Sequence, residues 1–124
     1  MKKLIYIIDD DSAILDIIKI ILEGQGFLTT LISDGVEFFK KIKKKKPDLI
    51  LLDIWLTGID GIEIAKRLKA SKKFARIPII IISANNKGKQ LSASVGADGF
   101  LAKPFEIDDL INIINQALST KSHR

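Results

Sequence analysis

LIYIIDDDSAILDIIKIILEGQG, Leu4 to Gly26, carries two hydrophobic periods in one stretch. Leu4 to Ile8 is short, rich in isoleucine and unbroken, as a parallel strand buried on both faces should be. Asp9, Asp10 and Asp11 end that run. Ser12 stands where a helix cap is expected, with a helix from about Ala13 to Glu23. Ile14, Ile17, Ile18, Ile21 and Leu22 fall at the spacing of one buried stripe, and Gly24 and Gly26 close it. The stretch reads as a strand–helix unit with three carboxylates at its junction.

The same unit recurs to the end of the chain. Phe27 to Ile32 reads as a second strand. Ser33, Asp34 and Gly35 turn into a helix carrying Val36, Phe39 and Ile42. Pro47 precedes a third strand, Asp48 to Asp53. After the loop IWLTGIDG, Asp60 caps a helix through about Ala70, with Ile62 or Ile64, Ala65 and Leu68 inward. Pro78 opens the fourth strand, whose run IPIIII ends at Ser83. A helix over about Lys87 to Val95 has small polar side chains and buries little. Gly96 to Gly99 turns into a short fifth strand, GFLA, followed by Lys103-Pro104. The last helix runs from about Ile107 to Leu118 on Leu110, Ile111, Ile114 and Leu118. Alternation at this spacing predicts an α/β fold, a doubly wound (βα)5 parallel sheet with helices on both faces. It forms one domain over residues 1–119, with a flexible tail over 120–124.

Composition narrows the function. At 124 residues the chain is long enough to bury about two-thirds of its unfolded surface. Cysteine is absent, which removes thiol nucleophiles, disulfides and zinc–thiolate sites. The one histidine is His123, near the carboxyl terminus, so no histidine-based dyad is expected. MKK ahead of Leu4 resembles a signal peptide, but its apolar stretch is too short and meets aspartates, so a cytoplasmic protein with no membrane span is expected. The net charge is +5, with lysines concentrated at 40, 41 and 43–46 before Pro47. Lysines at a helix end complement its dipole and stay solvated, or else form a docking surface for an acidic partner. They are not interleaved with aromatics, so no direct nucleic-acid contact is expected.

If the strands are parallel, their polar termini share one carboxyl edge, where ligands bind in open α/β sheets. In the flavodoxin-like order 2-1-3-4-5, strands one and three flank the switch point, and Asp9, Asp10 and Asp53 meet there. Carboxylates that close raise one another's pKa unless a cation intervenes. A magnesium ion suits a few carboxylates, a carbonyl and a phosphoryl oxygen. Asp53 can then act as a phosphoryl nucleophile. Lys103 offsets charge on the transferring oxygens, and Ser83 donates a hydroxyl hydrogen bond. Asp11 reads as a turn or cap residue rather than a ligand.

IIDDDSA, LILLDIWLTGIDG, IIIISA, GADGF and LAKPF stand in the order and spacing of the response-regulator receiver domains of two-component signalling. The chain resembles that family from Lys3 to about Leu118. The resemblance implies a phosphoacceptor at Asp53 and a magnesium (or manganese) site at Asp9, Asp10, Asp53 and the backbone carbonyl of Trp55. It implies that Ser83 and Phe100 form a switch, that Lys103 contacts the phosphoryl group, and that the Lys103–Pro104 bond is cis. It further implies a histidine kinase or histidine phosphotransfer protein as donor. The downstream protein target would meet the face of the fourth helix, fifth strand and fifth helix. The protein would be a monomer or a phosphorylation-dependent dimer, and a signalling phosphoacceptor rather than an enzyme. Thr57 departs from the pattern, which usually has proline there, and Asn85 occupies a position that varies in the family.

Three other readings compete. Asp9 and Asp11 mimic the Asp-x-Asp start of haloacid-dehalogenase-like phosphatases, but Ala13 stands where those have Thr or Val. A flavodoxin-like cofactor binder needs an amide-rich loop after its first strand, and IIDDDSA presents carboxylates instead. A degenerate receiver that docks without phosphorylation is the remaining alternative, against which the full set of acidic pair, acceptor and lysine argues.

Overall fold

Five strands and five helices alternate along the described residues: β1 (Leu4–Ile8), α1 (Ser12–Gly24), β2 (Leu28–Ile32), α2 (Gly35–Lys44), β3 (Leu49–Asp53), α3 (Gly61–Ala70), β4 (Ile79–Ser83), α4 (Gly88–Ser94), β5 (Gly99–Ala102) and α5 (Ile107–Ser122). The computed structural model describes residues 2–54 and 60–122, and the side chains of 2–54 and 60–119. All strand pairings are parallel, and the sheet order is β2-β1-β3-β4-β5. The expected (βα)5 flavodoxin-like sheet is therefore present.

The unbroken apolar runs are explained by two cores, one on each face. Tyr6, Ile8, Ile50, Leu52, Ile79 and Ile81 point to the face covered by α2 and α3, where Phe38, Ile42, Ile64 and Leu68 meet them. Ile5, Ile7, Leu49, Leu51, Ile80 and Ile82 point to the other face, under Ile18 and Leu22 of α1 and Leu110 and Ile114 of α5. Successive strand residues alternate between faces, so every position in β1, β3 and β4 is buried.

Helices α1 and α2 depart from the sequence reading in phase, and α1 departs in the Ser12 cap. Asp11, not Ser12, caps α1: its carboxylate accepts from the amides of Ala13 (3.0 Å) and Ile14 (3.4 Å). The buried stripe of α1 is Leu15, Ile18 and Leu22, while Ile17 is 52% exposed. In α2, Phe38 is fully buried and Val36 is 56% exposed. Both helices carry apolar residues on several faces, so spacing alone admits more than one stripe. The helix expected to end near Leu118 continues to Ser122, with Ala117 buried and Ile111 half-buried. Asp60 caps α3 as expected, and Ile64 rather than Ile62 is the buried alternative. No described helix is long and apolar enough to cross a membrane.

Candidate functional site

The polar residues that end the apolar runs share the carboxyl edge of the sheet. Asp9 follows β1, Asp53 ends β3, Ser83 ends β4 and Lys103 follows β5. β1 and β3 pair directly, so Asp9 and Asp53 lie on neighbouring strand ends. One carboxylate oxygen from each of Asp9, Asp10 and Asp53 falls within 4.8 Å of the others. Asp9 and Asp53 are buried and Asp10 is exposed.

Lys103 brings the counter-charge. Its ammonium donates to Asp9 Oδ2 at 2.7 Å and to Asp53 Oδ2 at 3.4 Å. The Lys103 backbone amide donates to the Ser83 carbonyl at 2.9 Å, which anchors the lysine to the end of β4. The Lys103–Pro104 peptide bond is cis. Burial alone lowers the pKa of the ammonium, but the Asp9 hydrogen bond and the charges of Asp53 and Asp9 outweigh it and hold the pKa above the ordinary lysine value. Asp9 is fixed on its other oxygen, Oδ1, which accepts from the Asp11 amide at 2.9 Å. Asp11 thus serves the site through its backbone while its side chain caps α1.

Three carboxylates and one ammonium leave an excess of negative charge in a partly dry cleft. Oxygen donors at this spacing suit a hard divalent cation, which keeps some of its waters. The described donors Asp9, Asp10 and Asp53 fit such an ion. The Trp55 carbonyl, named from sequence as a further ligand, lies outside the described residues, as does Thr57.

Two glycines define the walls, and the sequence reading gave neither a role. A Cβ on Gly61 would sit 2.3 Å from the Asp53 carbonyl oxygen and 2.8 Å from Ile54 Cα. The Gly61 amide donates to the Ile54 carbonyl at 2.8 Å. Only glycine lets α3 start this close to the acceptor strand. A Cβ on Gly88 would lie 2.8 Å from Phe100 Cε1 and 2.9 Å from Ser83 Cβ. Gly88 therefore wedges the start of α4 between Ser83 and Phe100. The Ser83 hydroxyl oxygen accepts from the Asn85 amide at 2.9 Å, and the Phe100 ring is half-buried against the core. The loop glycine at 61 was visible in the motif LTGIDG, but its contact with β3 is a property of the fold.

Comparisons with known proteins agree on one family. The family model for the response regulator receiver domain matches residues 5–115. The DNA-binding response regulator MtrA of Mycobacterium tuberculosis (strain ATCC 25618 / H37Rv) is 33% identical over 113 residues, covering 90% of this chain and 48% of that protein. The alkaline phosphatase synthesis transcriptional regulatory protein PhoP of Bacillus subtilis is 38% identical over 107 residues, covering 85% of this chain and 44% of that protein. The chain spans about half the length of these curated relatives. Among solved structures, a CheY-like response regulator receiver domain protein from Methanospirillum hungatei JF-1 superposes with a TM-score of 0.91 at 30% identity, covering 99% of this chain and 98% of that one. The receiver domain of sensor histidine kinase PA1611 from Pseudomonas aeruginosa PAO1, solved with a magnesium ion coordinated in its active-site cleft, superposes with a TM-score of 0.88 at 26% identity, covering 96% and 99%.

Proposed function

The chain belongs to the response regulator receiver domain family, and from that premise we propose that Asp53 accepts a phosphoryl group from a histidine kinase or histidine phosphotransfer protein. The supporting observation is the single ammonium of Lys103 reaching both Asp9 and Asp53, with Asp10 beside them. A carboxylate oxygen of Asp53 forms the new O–P bond while the donor's N–P bond breaks, and its electron pair stays on the imidazole nitrogen, which takes up a proton. Lys103 is placed to shift its hydrogen bond to an oxygen of the incoming group and offset its charge. Asp9 and Asp10, with Asp53, would hold a magnesium ion. When bound, that ion supplies Lewis-acid stabilisation of the phosphoryl oxygens.

The signal leaves through Ser83 and Phe100. Both side chains border the space that a Cβ on Gly88 would fill, so a Ser83 hydroxyl that turns toward the phosphoryl group frees space beside the Phe100 ring. The ring then moves inward and the surface of α4, β5 and α5 changes, a two-state element biased by local charge. A downstream protein reads that surface. In this account the domain is a cytoplasmic signalling phosphoacceptor that catalyses only its own phosphotransfer and dephosphorylation.

The test follows the fluorescence of Trp55, the chain's one tryptophan, during titration with magnesium and then beryllofluoride. Saturable quenching by magnesium and a second change with beryllofluoride, lost in Asp53→Asn, is expected. A folded protein that responds to neither contradicts the proposal.

A further inference from the structure

The edge of the sheet opposite the phosphoryl site has the opposite charge. Lys3 precedes β1, Lys46 precedes β3, and Lys72, Lys73 and Arg76 lie between α3 and β4. The fold gathers these five cations around one cleft of about 420 Å³. All five are exposed, and none forms an ion pair among the described residues. The nearby carboxylates are already engaged. Asp48 accepts from the Leu4 amide at 2.7 Å, and Asp98 accepts from the Ile79 amide and from Lys69, both at 2.9 Å. Lys43, Lys44 and Lys45 extend the charge beyond the cleft, and all three are exposed. A solvated lysine run needs no such convergence from three separate segments.

We propose that this cleft is a docking site for an acidic polypeptide segment in which carboxylates alternate with apolar side chains. The cationic rim would pair with the carboxylates. The floor, made of Pro47, Ile77, Pro78 and Leu118, would take the apolar side chains. Buried Pro47 and Pro78 keep that floor rigid. Single-stranded nucleic acid is a poorer fit, because it uses exposed aromatic faces for stacking. The ring of Phe74 already has Lys46 and Lys73 at 5.9 and 5.5 Å from its centroid. Four of the five cations are lysines, which act as point charges rather than as the bidentate forks that favour phosphate. The site lies at the far edge from Asp53, so it neither uses nor tests the phosphoacceptor chemistry.

The experiment measures fluorescence anisotropy of a labelled synthetic peptide of alternating glutamate and leucine against the full chain at low and physiological salt. The same peptide with glutamine in place of glutamate, and an oligonucleotide of equal charge, serve as parallel probes. Variants are Lys46→Glu/Lys72→Glu/Arg76→Glu, the milder Lys46→Gln/Lys72→Gln/Arg76→Gln, and Lys66→Glu/Lys89→Glu at exposed positions outside the cleft. Expected are saturable peptide binding that weakens with salt, no binding of the glutamine peptide, and a dissociation constant raised at least tenfold by charge reversal. The neutralised variant should fall between, and Lys66→Glu/Lys89→Glu should bind as wild type. Absence of binding at low salt, equal loss in both charge-reversed variants, or tighter binding of the oligonucleotide overturns the proposal.

Discussion

Lys103 holds two carboxylates with one ammonium, and its two distances differ. The shorter bond, 2.7 Å, goes to Asp9, and the longer, 3.4 Å, goes to Asp53. The lysine is thus held chiefly by Asp9 and more loosely by Asp53, the proposed acceptor. Lys103→Ala should lower the rate of phosphorylation by a small-molecule donor by about 10²–10³-fold, the usual cost of removing one transition-state donor. Initial rates with and without the substitution check this, and an unchanged rate would remove Lys103 from the chemistry. Tyr6 is the second informative residue. Its hydroxyl donates to the carbonyls of Lys41, at 3.2 Å, and Lys45, tying the end of α2 to β1. Burial pushes its pKa above the ordinary 10.0. The folded state therefore keeps this proton to higher pH than the unfolded chain. That contribution is complete below about pH 10 and is lost above it. Lys103, also raised, acts in the same direction. Tyr6→Phe should cost about 1 kcal/mol at neutral pH. It should also flatten the alkaline loss of stability, read by urea melts from pH 8 to 11. Parallel curves for the two proteins would contradict this.

At the scale of elements, the strand ends and the inward faces of α3 and α5 were legible, and the phases of α1 and α2 were not. Asp9, Asp53, Ser83 and Lys103 each follow an apolar run, and parallel pairing brings run ends together whatever the helices do. In α1, SAILDIIKIILEG has apolar residues on most of its circumference, so two stripes compete. The packed stripe is chosen by contact with the sheet, which places Ile18 inside and Ile17 outside. The same holds for Phe38 against Val36 in α2. Ile18→Ala should cost roughly 2–5 kcal/mol as a buried truncation. Ile17→Ala should stay within about 0.5 kcal/mol. Chemical denaturation of the two variants separates the phases, and equal losses would put the wrong face inward. The roles of Gly61 and Gly88 were illegible for a different reason. Their need for a missing Cβ comes from approach to β3 and to Ser83 and Phe100, residues distant in sequence.

On the whole molecule, the parallel sheet sorts charge by strand polarity. Asp9, Asp10 and Asp53 collect where strands end, and Lys3, Lys46, Lys72, Lys73 and Arg76 collect where they begin, with Lys103, Asp48 and Asp98 as single charges of opposite sign at either edge; the net charge of +5 conceals both poles. Sequence reading placed the acidic pole, because each aspartate follows a recognisable run. It left the basic pole as a lysine cluster, because Lys3, Lys46 and Arg76 converge only in three dimensions. A cation held at the acidic pole would bind only the folded state, so magnesium should stabilise the protein by mass action. At a concentration 100-fold above its dissociation constant, the gain is about 2.7 kcal/mol. Thermal melts should show a rise in Tm with magnesium in wild type that is lost or much reduced in Asp10→Asn. An equal rise in that variant would place the ion elsewhere.

The most direct measurement is the intact mass of the protein after incubation with phosphoramidate, with and without magnesium, followed by peptide mapping of the modified residue. Our account predicts one phosphoryl group, dependent on magnesium, carried by Asp53 and absent from Asp53→Asn. A chain that stays unmodified, or a phosphoryl group that persists in Asp53→Asn, would contradict it.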